Sequence, residues 1–452
     1  MSSTVRSITR TRSPGSTPRP GPEAAGSRRS VSYDPVVRES AAGVRRGALG
    51  LVADRTFGAL FWGKLLSSAG VWMQGVTAAV VVYQGTGSAT AVSLVSIAQA
   101  APQLVLGPWA GSLADRGDRS RQILAGRVLC GLGSGLLAVF FAVAEPGPHA
   151  LVAVVFTCSF LVGTGFVVGG PAMQSVIPDL VRPDELRTAM TLNTTPMTTA
   201  RIVGPALGAL VLGWAGPAAA FAVSAAPHVV FLGLLLWVAR LPARADVGEG
   251  APTSMRAGLR YLRTHPRLLV MLGGTALVGV GTEPSLTLAP ALSVAVHGDV
   301  TLAGALTLAF GVGALLALVG SSVAARRVSV LQSAWLGLAL LIGGLGVSTA
   351  VAAPAWAFGC FALAGAGFSW GMAGFSSLLQ AESDPAFRGR VMAWWLIAFL
   401  GCRPLSSAAT GVLTDLTSVR VTFPVTGVVL ALAALLLAAA LRVPGVSRVN
   451  AE

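Results

Sequence analysis

The chain has 452 residues, of which 54% are hydrophobic and only 11% charged, and its mean hydropathy is +0.73. A soluble domain carries roughly a quarter charged residues, so the composition excludes a soluble globular enzyme and a disordered chain, which would wet too much apolar surface. The net charge of +14 comes almost wholly from arginine, with Lys64 the single lysine, and these cations sit in short stretches between apolar runs. That placement points to membrane topology rather than to nucleic acid.

The first 50 residues are rich in Ser, Pro, Gly and Arg and show neither apolar periodicity nor the apolar core of a signal peptide. Residues 1–55 therefore read as a disordered cytoplasmic tail. Crossing about 30 Å of hydrocarbon takes roughly 20 apolar residues, and twelve such runs follow. Six lie near 58–83, 89–113, 122–143, 149–175, 193–215 and 219–239. Six more lie near 268–292, 302–324, 330–352, 355–378, 391–413 and 421–441. A basic linker, 240–267, separates an N-terminal half (56–239) from a C-terminal half (268–441), and 442–452 form a short tail. Twelve spans put both termini on one side. That side collects 28 of the 32 basic residues, counting Arg127 with the loop at 116–127, whereas Arg420 alone faces the other. The positive-inside rule thus places both termini in the cytoplasm of a multi-pass cell-membrane protein.

Shifting the chain by 202 residues aligns the halves without a gap. Gly163, Gly165, Phe166 and Gly169 fall on Gly365, Gly367, Phe368 and Gly371; Ser175, Pro183, Met190 and Arg201 fall on Ser377, Pro385, Met392 and Arg403. The fold expected is an all-α membrane protein, with twelve transmembrane helices in two pseudo-symmetric halves of six. Parallel repeats of this kind enclose a path between the halves and permit alternating access by rocking.

Between the second and third spans the chain reads Gly111-Ser-Leu113-Ala-Asp115-Arg116-Gly-Asp118-Arg119-Ser-Arg121. Asp118 and Ser120 depart from it, but this resembles the signature loop of the major facilitator superfamily. A small residue such as Gly111 lets helices approach, and an acid at a helix end can meet a facing helix N-terminus. The resemblance implies a gating latch of Asp115, Arg116 and Arg119 against the start of helix 11, near Arg388 and Arg390. The corresponding loop of the second half keeps only Arg326 and Arg327 and has no acid.

Helix 5 carries Ala200-Arg201-Ile-Val-Gly204-Pro205-Ala-Leu-Gly208-Ala209, which looks like the exporter-type motif of this superfamily with both outer glycines replaced by alanine. The segments Ile177–Leu186, Arg388–Ala393 and Pro102 extend the resemblance to the subfamily of drug and siderophore exporters, over about residues 55–441. Helix 4 lacks the arginine many exporters carry there, so that coupling scheme does not transfer.

Glu283 is the one acid well inside a predicted span, followed by Pro284. An ionised carboxylate at that depth is costly, so it must take up a proton or find a cation or a water-filled cavity. Proton exchange is what an antiporter needs, which makes Glu283 the coupling candidate; the alternative is an outer-interface position. Arg201 and Arg403 occupy equivalent places and either attract an anionic group or a carbonyl-rich ligand near the cytoplasmic entrance, or snorkel or bind helix-end carbonyls. Gln74 and Gln99 are further cavity candidates, although interhelical hydrogen bonds are the commoner fate of such groups.

The four cysteines lie in apolar runs without a CxxC or Cys/His pattern, and no nucleotide-binding loop is present. No metal or cofactor is expected, and an ion gradient rather than ATP supplies the drive. The partners expected are a small-molecule substrate, protons and the bilayer, with no nucleic acid, for a monomeric chain that is not an enzyme. A proton-coupled exporter of small amphipathic compounds leads; a nutrient importer on the same fold and a membrane sensor are the rivals.

Overall fold

The computed structural model describes residues 46–238, 255–324, 328–385 and 387–441, apart from the side chains of Asp115, Arg116, Met255 and 321–324. The N-terminal half contains α1 (Ala48–Val52), α2 (Arg55–Thr86), α3 (Ala89–Arg116), α4 (Arg119–Val143), α5 (Pro148–Ser175) and α6 (Leu186–Trp237). The C-terminal half contains α7 (Met255–Thr264), α8 (Pro266–Thr287), α9 (Ala289–His297), α10 (Ala303–Ala324), α11 (Val330–Gly346) and α12 (Pro354–Glu382). It ends with α13 (Arg388–Gly401), α14 (Arg403–Leu416) and α15 (Val419–Ala440).

Among the described residues, ten helices are long and apolar enough to cross a bilayer when α13 and α14 count as one. One of the ten, α6, makes two passes. Gly216, at φ 80° and ψ 179°, breaks it in a conformation open only to glycine. Before the break Gly204 and Gly208 climb alongside Trp72 and Met73 of α2, and after it Ser224 and Phe231 descend past Gly70 and Gly63. The shorter α11 supplies the remaining pass, which makes the expected twelve.

Local chemistry fixes the ends. Asp54, Ser88 and Asp118 cap α2, α3 and α4 through side-chain oxygens that accept first-turn N–H groups. Ser329 and Gln332 form a capping box on α11. Proline in the first turn starts α5, α8 and α12, where its missing N–H has no helical partner to lose.

The repeat has a packing basis. A Cβ on Gly163 would collide with the backbone of Gln99 in α3, and one on Gly365 with the backbone of Phe310 in α10. Two residues on, Gly165 abuts Gly126 and Cys130 of α4, whereas Gly367 abuts Gly337 and Leu341 of α11. Each half thus wedges its fourth span between its second and third through the same two glycines, the close approach that membrane helices need.

The halves meet mainly at the end of the bundle remote from the linker, here termed the far end. There Gly411 and Ser407 of α14 lie against Ser93 of α3, and Gly304 of α10 lies against Ala209 of α6. Towards the linker end, Gly401 of α13 makes only a glancing contact, its Cβ position 3.9 Å from Leu104 Cδ2.

Two boundaries differ from expectation. Residues 46–54, assigned to the disordered tail, are folded: Arg46 donates to Glu185 and Asp54, and Leu51 is fully buried. A short stretch flanked by polar residues gives no periodicity to read. Within the linker, α7 stacks Tyr261 on Phe387 and buries Leu262, and α8 begins at Pro266. The rest of the tail and linker lie outside the described residues.

Candidate transport site

A charge placed within a membrane span survives by pairing or by lining a wet cavity. One such pair joins two spans of the C-terminal half. Arg403 Nε donates to Glu283 Oε2 at 2.7 Å, with the two side chains only 16% and 7% exposed. Local breaks set both residues. Cys402 separates α13 from α14, so Arg403 opens a new helix with Pro404 behind it, and Pro284 follows Glu283 near the end of α8. Ser406 Oγ donates to Val280 O at 2.9 Å and ties the same two helices one turn away. Because α9 continues the pass to His297, Glu283 sits roughly 25 Å along it at 1.5 Å per residue. That is about halfway along the pass.

Arg201, its repeat partner, approaches from the other half. Its guanidinium carbon lies 4.9 Å from the ring centre of Trp72 in α2 and 4.8 Å from that of Phe368 in α12. It therefore bridges the halves by cation–π contact, within Coulombic range of both Arg403 and Glu283. Arg403 lies 5.8 Å from the Phe399 ring, and Phe368 stands 6.2 Å from Phe399 and 5.8 Å from Phe310. Two arginines thus flank one aromatic cluster drawn from both halves, and Arg403 pairs there with the carboxylate of Glu283. Both were expected near the entrance or snorkelling. Instead the rings and the acid hold them in mid-span, a convergence that spacing along one chain cannot display.

Other expected site residues lie elsewhere. Gln74 faces no cavity: it is fully buried, donates to Ser159 at 3.1 Å and accepts from Gln99 at 3.1 Å, joining α2, α3 and α5. Gly204 and Gly208 form a close contact with α2, where a Cβ at Gly204 would meet Trp72 at 2.7 Å, while the carbonyl of Pro205 lies 3.3 Å from the Cβ position of Gly304 in α10. Gly111 makes no close approach, since a Cβ there would touch nothing within 4 Å. Arg119 is buried but does not reach helix 11; it donates to Asp179 at 2.6 Å and to Ser175 O at 2.9 Å. The acid of the loop after α5 is nearer than the facing half. The side chains of Asp115 and Arg116 lie outside the described residues. Arg390 stands 4.9 Å from the Phe387 ring, against Gly258 of α7, and Arg388 is exposed.

Arg127 is a correction. Assigned to the loop, it lies inside α4 and is 2% exposed, hydrogen-bonded to Ser67 Oγ, with its Cζ 6.0 Å from the Phe231 ring. Nearby, Lys64 Nζ donates to Asn193 O at 2.8 Å and to its Oδ1 at 2.7 Å, and Asn193 in turn donates to Gln174. Neither cation has a carboxylate among its described partners. Outside the spans, Arg46 and Arg182 grip the buried Glu185 and hold its carboxyl far below the usual carboxylate range.

Twelve passes in two glycine-matched halves, with converging charges where the halves meet, define a membrane transporter that works between two halves. Residues 47–452 match the transmembrane secretion effector family, and the chain belongs to that branch of the major facilitator superfamily. It is 27% identical to the enterobactin exporter EntS of Citrobacter koseri over 75% of this chain and 80% of that protein. It is 28% identical to the enterobactin exporter of Salmonella typhimurium over 75% and 81%. Among solved structures, a bacterial homologue of the human lysosomal transporter Spinster, inward-facing and unoccupied, superposes with a TM-score of 0.70 at 16% identity. That alignment covers 86% of this chain and 97% of the other. A bacterial homologue of the iron transporter ferroportin, in an inward-facing state, gives 0.66 at 16% identity, covering 84% and 97%. The protein is a secondary transporter of the exporter type, not an enzyme.

Proposed function

We propose that the protein is a proton-coupled antiporter that exports small amphipathic compounds of the drug, antibiotic or siderophore class by alternating access. The buried Glu283–Arg403 pair beside Arg201 carries this proposal. A proton delivered to Glu283 removes its charge, breaks the ion pair and leaves two arginines among aromatic rings, a setting for an anionic or planar aromatic group. Loss of the proton restores the pair, which competes with the substrate for Arg403. Proton and substrate thus exchange at one residue, as antiport requires. The named activity of the curated relatives supports a siderophore among the cargoes.

With the basic residues on the cytoplasmic side, the linker end is cytoplasmic and the closed far end external, so this conformation faces inward. Moving one charge through 100 mV supplies roughly 2.3 kcal/mol, enough for a substrate gradient of about 40- to 50-fold.

The test is accumulation of a macrolide, a lipophilic dye and a siderophore in energised inside-out vesicles. Uptake of at least one is expected to collapse with a protonophore. Glu283→Gln is expected to insert normally and to lose gradient-driven accumulation. Undiminished coupled transport by that variant would refute the assignment.

A further inference from the structure

The far end carries a contact that neither family membership nor the central site accounts for. Asp415 closes the last turn of α14 in the C-terminal half and reaches the first turn of α3 in the N-terminal half. Its carboxylate accepts from Ser88 Oγ at 2.6 Å, from Ala89 N at 2.7 Å and from Thr90 N at 2.9 Å. The first N–H groups of a helix have no partners within it and carry its positive dipole end. A carboxylate that takes two of them plus a hydroxyl makes charge-assisted bonds of the stronger kind. Ser88 also caps α3 from within its own half through Ala91 N, so the start of α3 is capped twice, once by each half.

The contact lies on one face of α14. Ser407, Gly411 and Asp415 recur every four residues, and the first two lie against Ser93, one turn into α3. Ser407 and Gly411 let the helices touch, and Asp415 supplies the directional bonds. Its setting also allows release: Asp415 is exposed, as are its bonds from Ser88 and Thr90, and only the bond from Ala89 is part-buried, so water can take over as the halves part. A buried pair would resist such a cycle; an exposed one does not.

We propose that Asp415 is the outer gate latch of the transport cycle, holding the far end shut while the central site faces the linker end. Opening to the far side requires α14 to leave α3, and Asp415 must then give up all three donors. The latch rests on alternating access but on neither proton coupling nor any particular substrate.

The test is a distance measurement between spin labels at exposed far-end positions 149 and 351, one in each half, with the four native cysteines changed to alanine. Asp415→Asn keeps the shape but loses the charge, and Asp415→Ala loses every acceptor. Each is expected to raise the ratio of separated to closed far ends, by about fivefold for the loss of a helix-end charge, with Ala at least equal to Asn. If both variants keep the parent's ratio of two populations, the latch is overturned and alternating access stands. If every variant shows one unchanging distance, both are overturned. Should the Ala variant not be recovered folded, the Asn variant by itself decides between these outcomes.

Discussion

The two halves treat the cations midway along their spans differently. In the N-terminal half, Lys64 and Arg127 are held by an amide, a carbonyl, a hydroxyl and a ring, none of which takes or loses a proton in any accessible range. In the C-terminal half, Arg403 is held by a carboxylate. Arg201, at the position equivalent to Arg403, is gripped by two rings instead. A repeat fixes where the backbone goes and leaves the chemistry of each half free to diverge. Among the described cations midway along a span, Arg403 is the one with a carboxylate partner, whereas Arg119 meets Asp179 only at the first turn of α4.

The sharpest way to break this contrast is to delete the acid. Glu283→Ala strands Arg403 and is expected to destabilise the protein by about 3–5 kcal/mol. The double replacement of Glu283→Leu with Arg403→Met should recover most of that loss, because an apolar pair needs no partner, while coupled transport stays absent. Chemical unfolding alongside vesicle transport separates the two effects; a double variant as unstable as the single one would contradict the assignment of the pair.

Next in size are the glycines the halves share. Gly163→Ala and Gly365→Ala each push a methyl into a neighbouring backbone, at 2.8 Å from Gln99 C and 2.7 Å from Phe310 C. Each should cost about 1–3 kcal/mol of stability. Similar losses from the two variants would show that the packing, unlike the charge, has kept its symmetry.

A smaller effect is confined to acid pH. Glu185 titrates well below its unfolded value of about 4.3, held there by Arg46 and Arg182. Its ionised form therefore stabilises the fold fully above that value, and the benefit fades as pH falls towards the folded pKa. The melting temperature of the parent should exceed that of Glu185→Gln by a constant margin from pH 7 down to about 5 and then converge on it. A margin that widens on acidification would reverse the sign.

The smallest change is expected at Arg127. Its partners do not titrate, so Arg127→Met should alter stability by less than about 1.5 kcal/mol and leave the pH response of transport as it was. Loss of that response would move part of the coupling into the N-terminal half.

Much of the fold was legible because the bilayer imposes a length and an apolarity on every span. The repeat was legible because packing glycines cannot drift without parting helices. The site was legible only in pieces. Glu283, Arg201 and Arg403 each stand out as charges in apolar runs, yet their meeting depends on which faces of α6, α8 and α14 turn inward. Arg127 was misplaced because an apolar run starting near 122 leaves its first charged residue looking like loop. Arg119 was read as a loop residue of the latch, but it opens α4, and a spacing does not say which nearby acceptor it chooses: it took Asp179. Asp415 passed unnoticed as one more polar residue at the close of a span; the donors it meets belong to a helix more than 300 residues earlier.

One difference between the halves bears on how the molecule moves. The first span, α2, is a single rod of 32 residues, and the arm of α6 that carries Arg201 runs from Leu186 to its end at Gly216 without another non-helical residue. The passes that carry Glu283 and Arg403 are each jointed, at Leu288 between α8 and α9 and at Cys402 between α13 and α14. A rod transmits a tilt along its whole length, whereas a jointed helix can let one end swing as the other stays. The N-terminal half is built as a lever and the C-terminal half as an elbow, with the ion pair lodged in the crook.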